Sequence, residues 1–180
     1  TDQIIPSDWL KRVERNGFDR GLFSVLRDDL NYVQQVQRYQ GANILVAGPN
    51  FGTGSSREHA VWALQQYGFD AVISPRFGPI FVNNATKVGL VPVTVSFELG
   101  ERLLKALEED PTLMLEIDVE AATVEVQALG VEESFTLEPS AQYRLVNGLD
   151  DISLTLSHTD AIDAFEARRP VWMPSLEAAG

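Results

Sequence analysis

A glycine-rich turn set between a short apolar run and a helical stretch limits what this chain can fold into more than any other feature. Residues 42–47 are rich in Val, Ile and Leu, and Gly48-Pro49-Asn50-Phe51-Gly52-Thr53-Gly54 follows. Over 55–67, apolar residues then recur at Ala60, Ala63, Leu64 and Tyr67. That order predicts strand, loop and helix. Gly68 supplies a helix stop, and the apolar run 71–74 ahead of Pro75 predicts a second buried strand. A helix over 79–89, opened by Pro79 and closed by Gly89, and a third strand over 90–97 repeat the unit. Successive strand, helix, strand units imply a parallel sheet with flanking helices.

Further on the pattern changes. Residues 98–109 place Leu99, Leu103, Leu104 and Leu107 on one face, and Asp110-Pro111 ends that helix. Residues 115–119, 123–128 and 132–137 alternate apolar and polar with period two, as a β-meander does. A last helix is expected over about 159–168, ahead of a Pro-bearing tail. No low-complexity linker divides the chain, so a single α/β domain over 1–180 with mixed sheets is expected. Residues 11–40 fit nothing regular. There Arg12, Arg15, Arg20, Arg27 and Arg38 are mixed with Phe18, Leu22, Phe23, Val25 and Leu26, while Gly17 and Gly21 interrupt any helix. A long irregular stretch of this kind in a compact domain is expected to act as a mobile lid, here over about 12–40.

Charge narrows the function. Twenty-six acidic against 14 basic side chains leave a net charge of −12, which repels nucleic acid and an anionic membrane surface. The imbalance is local: residues 1–97 carry 9 basic and 8 acidic side chains, residues 98–133 carry 2 and 11. A small anion would therefore be steered toward the first half. The absence of cysteine excludes disulfides, thiolate zinc sites, a cysteine nucleophile and an iron-sulfur cluster held by this chain's own sulfurs. No protein metal site is expected. Apolar runs are only a few residues long, far short of a membrane span, and no basic stretch with an apolar core opens the chain. A soluble, cytoplasmic protein is expected.

The turn itself carries the chemistry. A glycine-rich loop entering a helix N-terminus presents unpaired N–H groups and the positive end of the helix dipole, which bind anions. Neither the Gly-Lys-Ser/Thr of a P-loop nor a G-x-G-x-x-G fingerprint is present, so nucleotide phosphates are disfavoured. Ser55-Ser56-Arg57-Glu58 can be a capping box with Ser55 as N-cap. Arg57 is then out of place, because a cation in the first turn opposes the dipole unless an anion lies outside. Its planar fork suits a carboxylate, and Ser55 beside the same anion hole can serve as a base toward a weakly acidic C–H. His59 is expected to be a hydrogen-bonded helix residue, and Asn83 and Asn84 to cap or touch the loop. His158 receives no role.

The run Ile44-Leu-Val-Ala-Gly-Pro-Asn-Phe-Gly-Thr-Gly-Ser-Ser-Arg-Glu-His-Ala60, with Tyr67-Gly-Phe69 and Phe77-x-x-Ile-Phe-x-x-Asn84-x-x-Lys87-x-Gly-Leu90, resembles the small subunits of isopropylmalate dehydratase in the aconitase superfamily. The opening Thr1-Asp-Gln-Ile-Ile-Pro6 and the closing Gly148-Leu-Asp-Asp-Ile152 and Phe165-Glu166 extend the resemblance over essentially the whole chain. The resemblance implies a swivelling β/β/α domain like the mobile last domain of aconitase. It also implies a large partner subunit that carries a 4Fe-4S cluster, and isomerisation of 2-isopropylmalate to 3-isopropylmalate through isopropylmaleate, in leucine biosynthesis. The cluster iron would take the leaving hydroxyl as a Lewis acid. By the same resemblance Ser55 is the base and Arg57 grips a substrate carboxylate. Asp2 orients the site, Ser56 lies beside the substrate, and Arg12 is the nearest counterpart of a further substrate arginine. The 12–40 segment lies where substrate choice resides. Leu22 and Phe23, with Val25 and Leu26, are the candidates for a dry patch that receives the alkyl group. A related hydro-lyase of the citraconate or homoaconitate type shares the turn, and a carboxylate-binding module without catalysis is the reading from a different class.

Overall fold

The computed structural model of the chain describes residues 1–12, 14–27, 29–54, 57–170 and 172. Two compact units emerge, Thr1–Gly148 and Leu149–Gly180.

In the first unit, β1 (Ile44–Val46), β2 (Ala71–Ser74) and β3 (Val91–Thr94) form a parallel sheet in that order, with Leu45 opposite Val72 and Val72 opposite Pro92. The helices α2 (Glu58–Tyr67) and α3 (Pro79–Val88) make the crossovers that parallel pairing demands. All four residues of β2 are buried, because a central strand is covered on both faces. Period two then sends neighbours to different cores. Val72 joins Ile5, Phe18, Val61 and Leu64 on the side of the N-terminal segment, α2 and α3. Ile73 and Val93 join Leu99, Leu103, Val124 and Val126 on the other side.

That second side is built by α4 (Phe97–Glu109) and an antiparallel sheet of β4 (Glu116–Asp118), β5 (Thr123–Val126) and β6 (Val131–Ser134). The Ser96 hydroxyl caps α4, accepting from the Leu99 amide at 3.2 Å while it donates to Glu133 of β6 at 2.9 Å. A further helix, α5 (Pro139–Asn147), lies outside the sequence-based expectation. Glu138 caps it by accepting from the Ala141 amide at 3.1 Å, a role usually filled by Ser, Thr, Asp or Asn.

The stretch that fits nothing regular is in fact short helical pieces. Turns of 3-10 helix cover Ser7–Lys11, Phe18–Gly21 and Ser24–Leu26, and α1 covers Leu30–Arg38. Gly17, at φ 81°, makes the break that starts the second piece. Phe18 is fully buried, and the Gln66 side chain of α2 clasps its turn, accepting from the Phe18 amide at 2.9 Å and donating to the Arg15 carbonyl at 2.8 Å.

The second unit contains α6 (Asp151–Leu156) and α7 (Thr159–Glu166). Only α7 follows from the sequence pattern. Asp150 caps α6 by accepting from the Ser153 amide at 2.6 Å. No helix among the described residues is long and apolar enough to cross a membrane.

Candidate active site

The glycine-rich turn leaves β1 and is laced to the chain that follows β2. Ser74 donates its hydroxyl to the Gly48 carbonyl at 2.8 Å, the Phe51 amide donates to Arg76 at 3.1 Å, and the Gly78 amide donates back to Phe51 at 2.9 Å. Asn50, Gly52 and Gly54 all adopt positive φ, at 70°, 70° and 99°. At Gly52 a side chain is excluded outright, because a Cβ there would stand 2.4 Å from the Phe81 ring. The turn is thus a kinked strap held close to the sheet.

The N-terminal stretch 1–5 closes over this strap and joins residues that lie far apart in sequence. The Thr1 hydroxyl donates to the Thr53 carbonyl at 3.0 Å. Four residues further along, Arg57 turns its guanidinium back to the same stretch. Its Nη1 lies 2.5 Å from the Asp2 carboxylate and donates to the Ile5 carbonyl at 3.3 Å. The Ile4 carbonyl accepts from the Phe23 amide at 2.8 Å. Residues 1–5 therefore hold Thr53, Arg57 and Phe23 in one neighbourhood.

Arg57 is the N-cap of α2, extended at φ −135° and ψ 117°, with no side-chain cap bond. This corrects the expected helix start at Ser55: the helix begins at Glu58, with Arg57 as its extended N-cap residue. Ser55 and Ser56, and with them the capping box, lie outside the described residues. They fall between Thr53 and Arg57, both of which residues 1–5 hold. The Arg57 side chain is only 12% exposed, and its buried Nε has no hydrogen-bond partner among the described residues. A guanidinium with one nitrogen on an exposed aspartate and its Nε unpaired among the described residues keeps hydrogen-bonding capacity that a planar carboxylate fits.

The remaining candidates are distributed around this centre. Asp2 is exposed and paired with Arg57. Arg12 lies 4.1 Å from the centre of the Trp9 ring in a cation–π contact, and no described contact joins it to Arg57 or Asp2. Leu22 is 2% exposed and belongs to the core with Ile4, Ile5 and Phe18. Phe23 is half-buried at φ 49°, while Val25 and Leu26 are exposed. His59 packs between aromatic rings, 5.1 Å from Phe18 and 4.8 Å from Trp62, and among the described residues it has no side-chain hydrogen bond. Neither Asn83 nor Asn84 has a described hydrogen bond to the turn. That contact is made instead by Asn50 and Arg76, which sequence reasoning missed; a cation just past the end of a parallel strand next to the one that carries the turn was the available signal. His158 is the N-cap residue of α7 without a side-chain cap bond. No group of three or more His, Asp or Glu side chains among the described residues is placed to hold a metal.

Comparison with known proteins agrees with this architecture. Residues 1–98 match the aconitase C-terminal domain family, and residues 151–179 match the family of the C-terminal domain of 3-isopropylmalate dehydratase small subunits. The chain is 55% identical over 175 residues to the 3-isopropylmalate dehydratase small subunit of Frankia alni, covering 97% of this chain and 89% of that protein. It is 54% identical over 179 residues to that of Acidothermus cellulolyticus, covering 99% and 90%. Among solved structures, the 3-isopropylmalate dehydratase of Methanocaldococcus jannaschii shares the fold, with a TM-score of 0.63 at 23% identity over 92% of this chain and 90% of that one.

Proposed function

The chain belongs to the 3-isopropylmalate dehydratase small-subunit family of the aconitase superfamily, and from that premise we propose how its residues serve the interconversion of 2- and 3-isopropylmalate. One observation carries the proposal: the Arg57 guanidinium is largely buried, held through Nη1 by Asp2 and Ile5, and its Nε has no partner among the described residues. Arg57 grips a substrate carboxylate through that nitrogen, and Asp2 keeps the fork aimed. Ser55, two residues before it in the sequence, takes a proton from the carbon next to the hydroxyl-bearing one. The hydroxyl leaves with its bonding pair and takes up a proton from solvent, giving the unsaturated dicarboxylate and water, while the proton taken from carbon rests on Ser55. Return of water in the opposite sense, with the proton and hydroxyl exchanged between the two carbons, gives the isomer. Ser56 contributes to the same anion hole.

Phe23 is tied to Ile4, the neighbour of the residue that anchors Arg57, so it sits at the same hub. Phe23 receives the alkyl group, and Leu22 fixes it from beneath by filling the core. Arg12 serves as an outlying second cation for the other carboxylate. This chain provides no donor set for an iron-sulfur cluster: it has no cysteine, and no metal-binding group is found among the described residues. The cluster belongs, in this reading, to a large subunit whose surface completes the site, in the cytoplasm, with no nucleic acid or membrane involved.

The test is reconstitution of the chain with a large subunit of the family and measurement of kcat/KM for isopropylmalate, citraconate and homoaconitate. Isopropylmalate is expected to be preferred, and activity to need both chains. Turnover by this chain alone, or preference for a tricarboxylate, overturns the reading. Ser55→Ala should remove most of kcat with substrate binding comparatively intact, because a base acts in the transition state.

A further inference from the structure

We propose that Arg76, through Asn50, is a positioning residue for the reaction, setting the pose of the turn that presents Ser55 and Arg57; this rests on the functional reading above. The observation is a relay of hydrogen bonds across the strap. Arg76 donates from Nε to the Asn50 side-chain oxygen at 2.6 Å, and its Nη2 donates to the same oxygen. The Asn50 carbonyl in turn accepts from the Thr53 hydroxyl at 2.8 Å and from the Thr53 amide at 3.2 Å. The Thr53 carbonyl accepts from the Thr1 hydroxyl, and the next residue, Asp2, holds Arg57. The relay thus runs from Arg76 through Asn50 to Thr53 in the middle of the strap, where Thr1 meets it.

The relay acts on a backbone with three joints at positive φ. Asn50 is held at φ 70°, in the left-handed region that a side chain other than glycine enters at a cost, although asparagine tolerates it better than most. Two glycines at positive φ follow within four residues and resist no rotation. A guanidinium fork on the Asn50 oxygen fixes the first of these three joints, and Thr53 locks the segment between the second and third. Arg76 itself is anchored, since its carbonyl accepts from Ser74 at 2.9 Å and from the Phe51 amide at 3.1 Å. Among the described residues Arg76 bonds to neutral Asn50 and makes no ion pair, so charge attraction to the substrate and positioning of the turn are separable by substitution.

Loosening this relay should lower the fraction of molecules with the serine in reactive geometry, while Arg57, which bonds to Asp2 and Ile5 and, among the described residues, to none of Asn50, Thr53 and Arg76, keeps its grip on the substrate. In the reconstituted enzyme, Arg76→Ala and Asn50→Gly are each expected to reduce kcat by about tenfold or more with KM changed less than about threefold. Glycine at position 50 accepts the left-handed backbone, so its loss of activity reports the missing side-chain oxygen. Asn50→Asp keeps an acceptor and should hold kcat near the parent value. The double variant Arg76→Ala with Asn50→Gly should be no worse than either single one, because both cut the same bond. In the isolated full chain, amide hydrogen exchange across 50–54 should accelerate in Arg76→Ala while that of β2 stays unchanged. The proposal is overturned if kcat of both single variants stays within twofold of the parent, if KM rises instead of kcat falling, if the two losses add, or if exchange across 50–54 is unaltered. Failure of the parent assembly to isomerise isopropylmalate refutes the functional reading, and the exchange measurement still decides the relay.

Discussion

Replacement of Arg57 by lysine separates the charge of the site from its shape. In the free chain Arg57 makes one ion pair, with an aspartate whose side chain is 69% exposed, and one bond to the Ile5 carbonyl. An ion pair with so exposed a partner is worth at most about 1 kcal/mol, so Arg57→Lys should shift urea unfolding of the isolated chain by no more than that. The consequence with substrate bound is larger. Lysine ends in a single ammonium, which can stay with Asp2 or reach the substrate but cannot present the Nε edge that Arg57 leaves unpartnered. At least one charge-assisted hydrogen bond to the substrate carboxylate is lost, about 1.5–3 kcal/mol, which converts to a fall in kcat/KM of about 10- to 150-fold. The assay is the initial rate in the reconstituted enzyme, followed by ultraviolet absorbance of the conjugated intermediate and by product formation. The fall should appear in KM as well as kcat, because the carboxylate is gripped before and during reaction. If Arg57→Lys keeps kcat/KM within about threefold of the parent, or if the stability loss equals the catalytic loss, the unused edge has no partner in the substrate and the argument from its burial fails.

Leu22→Ala should cost the isolated chain about 2–5 kcal/mol in urea unfolding, since Leu22 is a core residue at 2% exposure, whereas Val25→Ala, at 53% exposure, should change little. Gly52→Ala should destabilise by about 1–3 kcal/mol or more, combining a left-handed backbone with a Cβ 2.4 Å from Phe81; a melting temperature equal to the parent's would contradict the strap geometry. The Glu138 carboxyl is held below its ordinary range, first by the Ser140 hydroxyl and then by the amides at the start of α5. A carboxylate with a depressed folded-state pKa stabilises above its unfolded value and loses that contribution as pH falls through the folded one, so Glu138→Gln should flatten the acid limb of the stability profile below about pH 4. An unchanged acid limb would place the sensitivity elsewhere.

The two sheets were legible because their cues are local. The central strand β2 reads as an unbroken apolar run since both its faces are covered, and the meander reads as alternation since only one face of each strand is. The unforeseen helices are short and rest on caps or contacts that propensity does not announce. Helix α5 starts from a glutamate cap, and α6 spans six residues after Asp150. The 3-10 turns before β1 depend on Phe18 and Leu22 reaching the core beside α2, a tertiary demand that no periodicity over 12–40 expresses. For the site, the distinction is between a residue's need and its partner. That a cation at the start of α2 needs an anion followed from the helix dipole alone, and the structure satisfies that need with Asp2. The helix start lies later than a local reading places it: that reading assigns Arg57 to the first turn, whereas Arg57 is the extended N-cap residue and its side chain reaches a carboxylate 55 positions away. The dipole argument also limits what Asp2 can do. An exposed carboxylate on one edge neutralises the charge yet leaves the buried Nε without an acceptor, so the electrostatic need is met while the hydrogen-bonding need is not. In the proposed function a substrate carboxylate supplies the acceptor for that nitrogen while Asp2 stays in place, so both needs are met together.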